Sequence, residues 1–250
     1  MLGEVSEALK KSSNQSALGP NQVRYRVWKN IHRIEEGIIP KMVEDMLEWD
    51  IHPPMLKESI GIILLKPDKK YYTDCESFRV IALMQTFSKI TEPIVNQRLM
   101  AIAYKRDIYC INQTGSLLQR STVVDAALLL NYWIVYKSQL EFAGKKVSSV
   151  FLDVNRGFDN ENHKKLLDLL GDNEKVPEYL VDWISNFIIC TREITLAYLG
   201  SPRTQNSVNK SIPQESQLSS VTGLFLSIKN TIGPAIDLLA LVLREASRDG

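Results

Sequence analysis

Residues 147–160 read Val-Ser-Ser-Val-Phe-Leu-Asp-Val-Asn-Arg-Gly-Phe-Asp-Asn. An apolar, β-branched run ends in Asp153, and a turn-forming Asn-Arg-Gly leads to Phe158 and Asp159. A strand of this composition is expected to be buried on both faces, because it leaves no polar face for water. Strands of that kind carry ligand-binding carboxylates at their C-terminal ends, where the sheet meets solvent. Two readings of Asp153 follow: a metal-binding carboxylate, or the first residue of a turn, with Asp159 capping the next helix.

Outward from this strand, the spacing predicts a helix over about 122–142 before it, begun by a capping box of Thr122 and Asp125 and ended at Gly144. After it, Pro177-Glu178 opens a helix to about Ile189, and 192–199 reads as a strand with Gly200-Ser201-Pro202 as its turn. Residues 211–220 read as a loop, followed by helices at about 221–230 and from Pro234 onward. Upstream, 59–66 and 76–83 read as strands joined through the lysine-bearing turn Lys66-Pro67-Asp68-Lys69-Lys70. A helix at about 86–104 shows Phe87, Ile90, Ile94, Val95, Leu99 and Ile102 on one side, with Pro93 predicting a kink or a later start. The N-terminal 50 residues read as helices: Leu2, Val5 and Leu9 on the first, Val23, Val27, Ile31 and Ile34 on the second. Met42, Val43, Met46, Leu47 and Trp49 follow Pro40 on the third.

The chain of 250 residues is long enough for a sizeable core. Its net charge of +1 gives no global signal for nucleic acid, so a basic surface must come from segregated charge. Cys75, Cys110 and Cys190 are far apart and odd in number, which suggests free thiols in a reducing compartment. No apolar run approaches the roughly 20 residues that span a bilayer. With no signal peptide at Met1–Lys10, an intracellular place, nucleus or cytoplasm, is expected. His32, His52 and His163 form no ligand pattern; His163 is expected at the surface, and Tyr132 and Trp133 in the core.

Several stretches stand in a familiar order. Gly19-Pro20 precedes Tyr25-Arg26-Val27-Trp28-Lys29; Leu64-Leu65-Lys66-Pro67 precedes Lys69; Ser77-Phe78-Arg79-Val80-Ile81-Ala82-Leu83 precedes Thr86-Phe87-Ser88-Lys89-Ile90 and Arg98-Leu99. Gln113-Thr114-Gly115, Arg120-Ser121-Thr122, Phe151-Leu152-Asp153 with Phe158-Asp159-Asn160, and Ile212-Pro213-Gln214-Glu215-Ser216 follow. In this order, over about 16–230, the chain resembles the reverse transcriptase domain of non-LTR, LINE-type retrotransposons.

The resemblance implies an α+β fold with right-hand, polymerase-like fingers and a partial palm, a helix-rich N-terminal arm and no thumb. It divides the chain into an arm at 1–50, a fingers-like region at 51–145, a partial palm at 146–230 and a divergent tail at 231–250. It implies RNA-templated DNA synthesis on an RNA template and DNA primer, with deoxynucleoside triphosphates and Mg2+, by two-metal phosphoryl transfer. Asp153 is then a metal-holding carboxylate and the Val154 carbonyl a supporting ligand. Phe158 stacks under the incoming sugar or serves as a core residue behind the strand. Lys66, Lys69 and Arg79 reach triphosphate or template backbone, or the lysines form a solvated turn. Arg120 contacts template phosphate or belongs to helix capping, and Gln214 lies near the template–nucleotide pair.

Departures from the family pattern are specific. These residues contain no Asp-Asp pair, so two of the three expected carboxylates are missing. Glu215 stands where the family has a glycine close to substrate, and its charge opposes phosphate. A truncated, degenerate domain without polymerase activity is therefore expected. The rival expectations are a non-catalytic nucleic-acid-binding remnant and an unrelated α+β interaction domain.

Overall fold

The computed structural model describes residues 1–74, 77–106, 108, 121–142, 162–173, 175–189, 194–198, 201–205, 216 and 218. The strand expected at 147–153, the helices expected beyond 220 and all three cysteines lie outside the described residues.

The fold is α+β. Helices α1 (Leu2–Lys11), α2 (Tyr25–Ile34), α3 (Ile38–Glu48) and the single turn α4 (Pro54–Lys57) precede strands β1 (Ser59–Leu65) and β2 (Phe78–Met84). Helices α5 (Ser88–Lys105), α6 (Thr122–Phe142), α7 (His163–Asp168) and α8 (Glu178–Ile189) come next, then β3 (Ile194–Tyr198) and β4 (Ser201–Gln205). The sheet order is β2-β1-β3-β4, with β1 antiparallel to β2 and parallel to β3, and β3 antiparallel to β4. Ser201 and Pro202 therefore belong to a strand rather than to the expected turn. Pro202 pairs with Ala197 on the edge strand, where a residue without an N–H is tolerated.

The core gathers around α5. Ile90, Ile94, Val95 and Leu99 are buried as their spacing predicts. They join a cluster with Val5 and Leu9 of α1, Ile39, Val43 and Leu47 of α3, and Leu180, Trp183 and Phe187 of α8. Each such side chain contributes about 1.5–3 kcal/mol on full burial. Pro93 neither delays nor ends α5, which starts at Ser88 and carries the proline inside. Arg98 ties α5 to α1 through a two-pronged pair with Glu4, both N–O distances 2.9 Å. Hydrogen bonding to Arg98 holds the Glu4 carboxyl below its ordinary range.

Several helix expectations are corrected. On α2, Tyr25 is buried and Trp28 and Ile31 pack against the core, whereas Val27 and Ile34 are exposed. The aromatic rings offer more apolar area than valine, so they set the helix rotation. On α3, Ile39 faces inward and Met42 and Trp49 outward. The α6 cap is Ser121, whose Oγ accepts from Val123 N at 3.3 Å, rather than Thr122. The α7 cap is Asn162, whose Oδ1 accepts from Lys165 N at 3.2 Å, rather than Asp159. His163, in the first turn of α7, is buried instead of exposed. Tyr132 and Trp133, expected in the core, are exposed on α6.

Candidate functional site

The β1–β2 hairpin is anchored at one end and free at the other. Ser59 pairs with Met84, and both are buried; Leu65 pairs with Phe78 at the far end, where Leu65 is 61% exposed. Burial thus falls along the ladder, so the hairpin has a root in the core and a projecting tip.

Its root is a polar joint at Gln85–Thr86, between β2 and α5. Thr86 Oγ1 donates to the Val23 carbonyl at 2.8 Å and accepts from Trp28 Nε1 at 2.8 Å. Gln85 Oε1 accepts from Asn21 N at 3.2 Å, and its Nε2 donates to the Met55 carbonyl at 3.3 Å. Both side chains are buried, so these bonds replace the lost hydration. The chain at Gly19 presses on the same joint. A Cβ there would lie 2.7 Å from Gln85 N and from the Met84 carbonyl, both backbone atoms, so only glycine fits. Trp28 and Phe87 complete the joint with ring centroids 5.0 Å apart.

At the tip, Lys66 N donates to the Ser77 carbonyl at 2.9 Å and closes the ladder, and Leu64 pairs with Arg79. Directly opposed residues of an antiparallel pair project from one face, so Lys66 and Arg79 leave the hairpin on the same side as diagonal neighbours. Tyr72 Oη donates to the Lys66 carbonyl at 2.9 Å, and Ser77 Oγ donates to the Tyr71 carbonyl at 2.7 Å, which folds the connecting loop back on the strands. Asp68 sits in the left-handed region at φ 60°, as an aspartate in a turn can. Lys66 is half-buried, and Lys69 and Arg79 are exposed. Among the described residues neither Lys66 nor Arg79 has an ion-pair partner, so both cations are available to an anionic ligand.

A second link joins α5 to the Pro-Gln segment. Ser216 Oγ donates to Glu92 Oε2 at 2.6 Å and accepts from Leu218 N at 3.2 Å, with Leu218 in the core. Glu92 is 1% exposed. Burial, and then the Glu92 charge, raise the nearby Tyr25 phenol to about 12. The sequence reading missed Glu92 because α5 also carries Lys89, Thr91, Asn96, Gln97 and Arg98, and nothing local distinguishes a buried acid from a solvated one.

Of the residues expected in the site, the structure brings Lys66 and Arg79 together. Asp153, Val154, Phe158, Arg120 and Gln214 lie outside the described residues. Among the described residues, no group of three or more His, Cys, Asp or Glu side chains could hold a metal ion, and no helix is long and apolar enough to cross a membrane. No protein-family model and no curated protein matches the chain.

Proposed function

We propose that the chain is a fingers and partial-palm portion of a LINE-type reverse transcriptase domain that binds primer–template nucleic acid without catalysing synthesis. The observation that carries this reading is the joint at Gln85–Thr86. Gly19, Trp28 and Thr86 come from three separate stretches quoted for the resemblance, and they meet at the root of the hairpin that bears Lys66 and Arg79. Segments drawn from unrelated contexts have no reason to share one close-packed polar joint.

The cations at the tip have chemistry suited to phosphate. The planar guanidinium of Arg79 can hold two phosphate oxygens at once, and Lys66 adds a mobile point charge on the same face. Mg2+ would supply charge neutralisation and leaving-group activation in the family reaction. Asp153 is the one metal-holding carboxylate of the family pattern in these residues, and a single carboxylate does not fix two divalent ions. The proposed role is therefore binding.

Primer extension on an RNA template with Mg2+ is the test of the catalytic half. The expected result is no synthesis alongside retained primer–template binding. Synthesis that Asp153→Ala abolishes would overturn the reading, as would failure to bind primer–template at all.

A further inference from the structure

Helix α3 turns its inner face to the core and leaves an unusual outer one. Ile38, Met42, Asp45 and Trp49 fall on one stripe by their spacing of four, three and four. Ile38 and Met42 are exposed, and Trp49 is 69% exposed. At the end of this stripe lies a groove of about 280 Å3 lined by Asp45, Met46, Trp49 and Ile51. An exposed tryptophan beside an apolar groove has the character of an interface anchor, since aromatic residues dominate binding energy where they can be desolvated.

The rim is acidic. Asp45 lines the groove, and Glu44, Glu48 and Asp50 flank its lining residues in the chain, against Lys41 as the one cation of α3. Lys41 is already engaged, 2.8 Å from Asp45. Across from this end of α3, Asp182 and Glu178 of α8 face Asp50, whose backbone carbonyl accepts from Asn186 Nδ2 at 2.6 Å. Partial burial, then Asp182 and Glu178, raise the Asp50 carboxyl above its ordinary range. The acids here repel one another, in a chain whose net charge is only +1.

We propose that this face of α3 docks a basic amphipathic helix of a partner protein. Its apolar side chains fill the groove at Met46, Trp49 and Ile51, and its lysines or arginines meet Glu44, Glu48 and Asp50. The choice of occupant rests on charge. A nucleic acid or an anionic membrane leaflet brings the same sign as the rim and is repelled. A basic helix relieves the repulsion among the acids while it covers apolar surface. The inner residues Ile39, Val43 and Leu47 are fixed in the core, so the docking face is formed before the partner arrives. This surface is separate from the hairpin cations and goes beyond the nucleic-acid reading.

The test uses the whole chain and a fluorescently labelled helical peptide with leucines on one face and arginines on the other, followed by anisotropy. Binding is expected to weaken about tenfold in Trp49→Ala and by a similar factor in Glu44→Lys/Glu48→Lys, and to weaken as salt rises. Both substitutions are at exposed positions, so the core is untouched. A peptide with glutamates in place of arginines is expected not to bind. The proposal is overturned if the basic peptide fails to bind at about 100 μM, or binds both variants as tightly as the parent chain. Weaker binding in Trp133→Ala with none in Trp49→Ala also overturns it, because the peptide would then sit on α6.

Discussion

Helices α5 and α6 are both long, with 18 and 21 residues, and neither has a marked polar face. Yet α5 is the centre of the core, while α6 exposes Val123, Leu128, Leu130, Ile134 and Trp133. The difference lies in the neighbours. Four other elements or segments meet α5: α1 through Glu4, the 17–23 stretch through Lys89, α4 through Ser88, and Ser216 through Glu92. Ser88, Lys89, Glu92 and Arg98 are thus specific fasteners, each with a partner in a different part of the chain. An apolar pattern tells that a helix wants burial; the spacing of its polar partners decides where it is buried.

Substitution at matched depth along the two helices gives the largest contrast. Ile94→Ala in α5 is expected to cost about 2–5 kcal/mol, as for a fully buried aliphatic truncated in a packed core. Leu130→Ala in α6 is expected to change stability by no more than about 0.5 kcal/mol. Urea unfolding of both variants measures this, and equal destabilisation would erase the distinction.

A smaller effect comes from the joint between α2 and α5. Tyr25 is 6% exposed and its phenol is raised from 10.0 to about 12, by burial and then by Glu92. Between these values the unfolded chain has lost the proton and the folded chain keeps it. Stability therefore falls as pH rises from about 10 to 12, by about 2–3 kcal/mol in the limit. Tyr25→Phe is expected to remove that alkaline decline while leaving stability at neutral pH nearly unchanged. An identical alkaline profile in the variant would show that the phenol is not held at the joint.

The smallest expected effect is at Asp50, outside both helices. Its carboxyl is raised, so its charge is a burden on the folded state at neutral pH. Its φ of 52° also suits asparagine better than most residues. Asp50→Asn is expected to raise the melting temperature by about 1 °C at neutral pH. The rise should shrink in acid, where both folded and unfolded chains already carry a neutral carboxyl and only the backbone contribution remains. A lowered melting temperature would mean that Asp50 has a compensating cation.

The sequence pattern located the hairpin, the apolar side of α5 and the span of α8, because each rests on local periodicity and turn chemistry. It misjudged the rotation of α2, where Val27 and Ile34 fit the same period as Tyr25, Trp28 and Ile31, and the aromatic rings, together with the hydrogen bond from Trp28 to Thr86, decide between them. The buried His163 and the exposed Trp133 had no local signal at all; their burial depends on which other elements arrive. Of the candidate site, the sequence supplied Lys66 and Arg79 as types, and the strand register supplied their common face. The bond of Glu92 to Ser216 became visible only when distant segments were brought together, whereas the acids beside the groove on α3 are neighbours in the chain and only the exposure of Trp49 was missing.

The projecting tip of a core-rooted hairpin is proposed to offer Lys66 and Arg79 jointly to phosphate. The most direct test is the salt dependence of primer–template binding by the whole chain, compared with Lys66→Ala/Arg79→Ala. Removing one cation from a phosphate lowers the slope of log affinity against log salt by about 0.7–0.9. The double variant is therefore expected to bind more weakly, with a slope shallower by about 1.4–1.8. An unchanged slope and affinity in the double variant would contradict the pairing of these two cations on one nucleic-acid backbone.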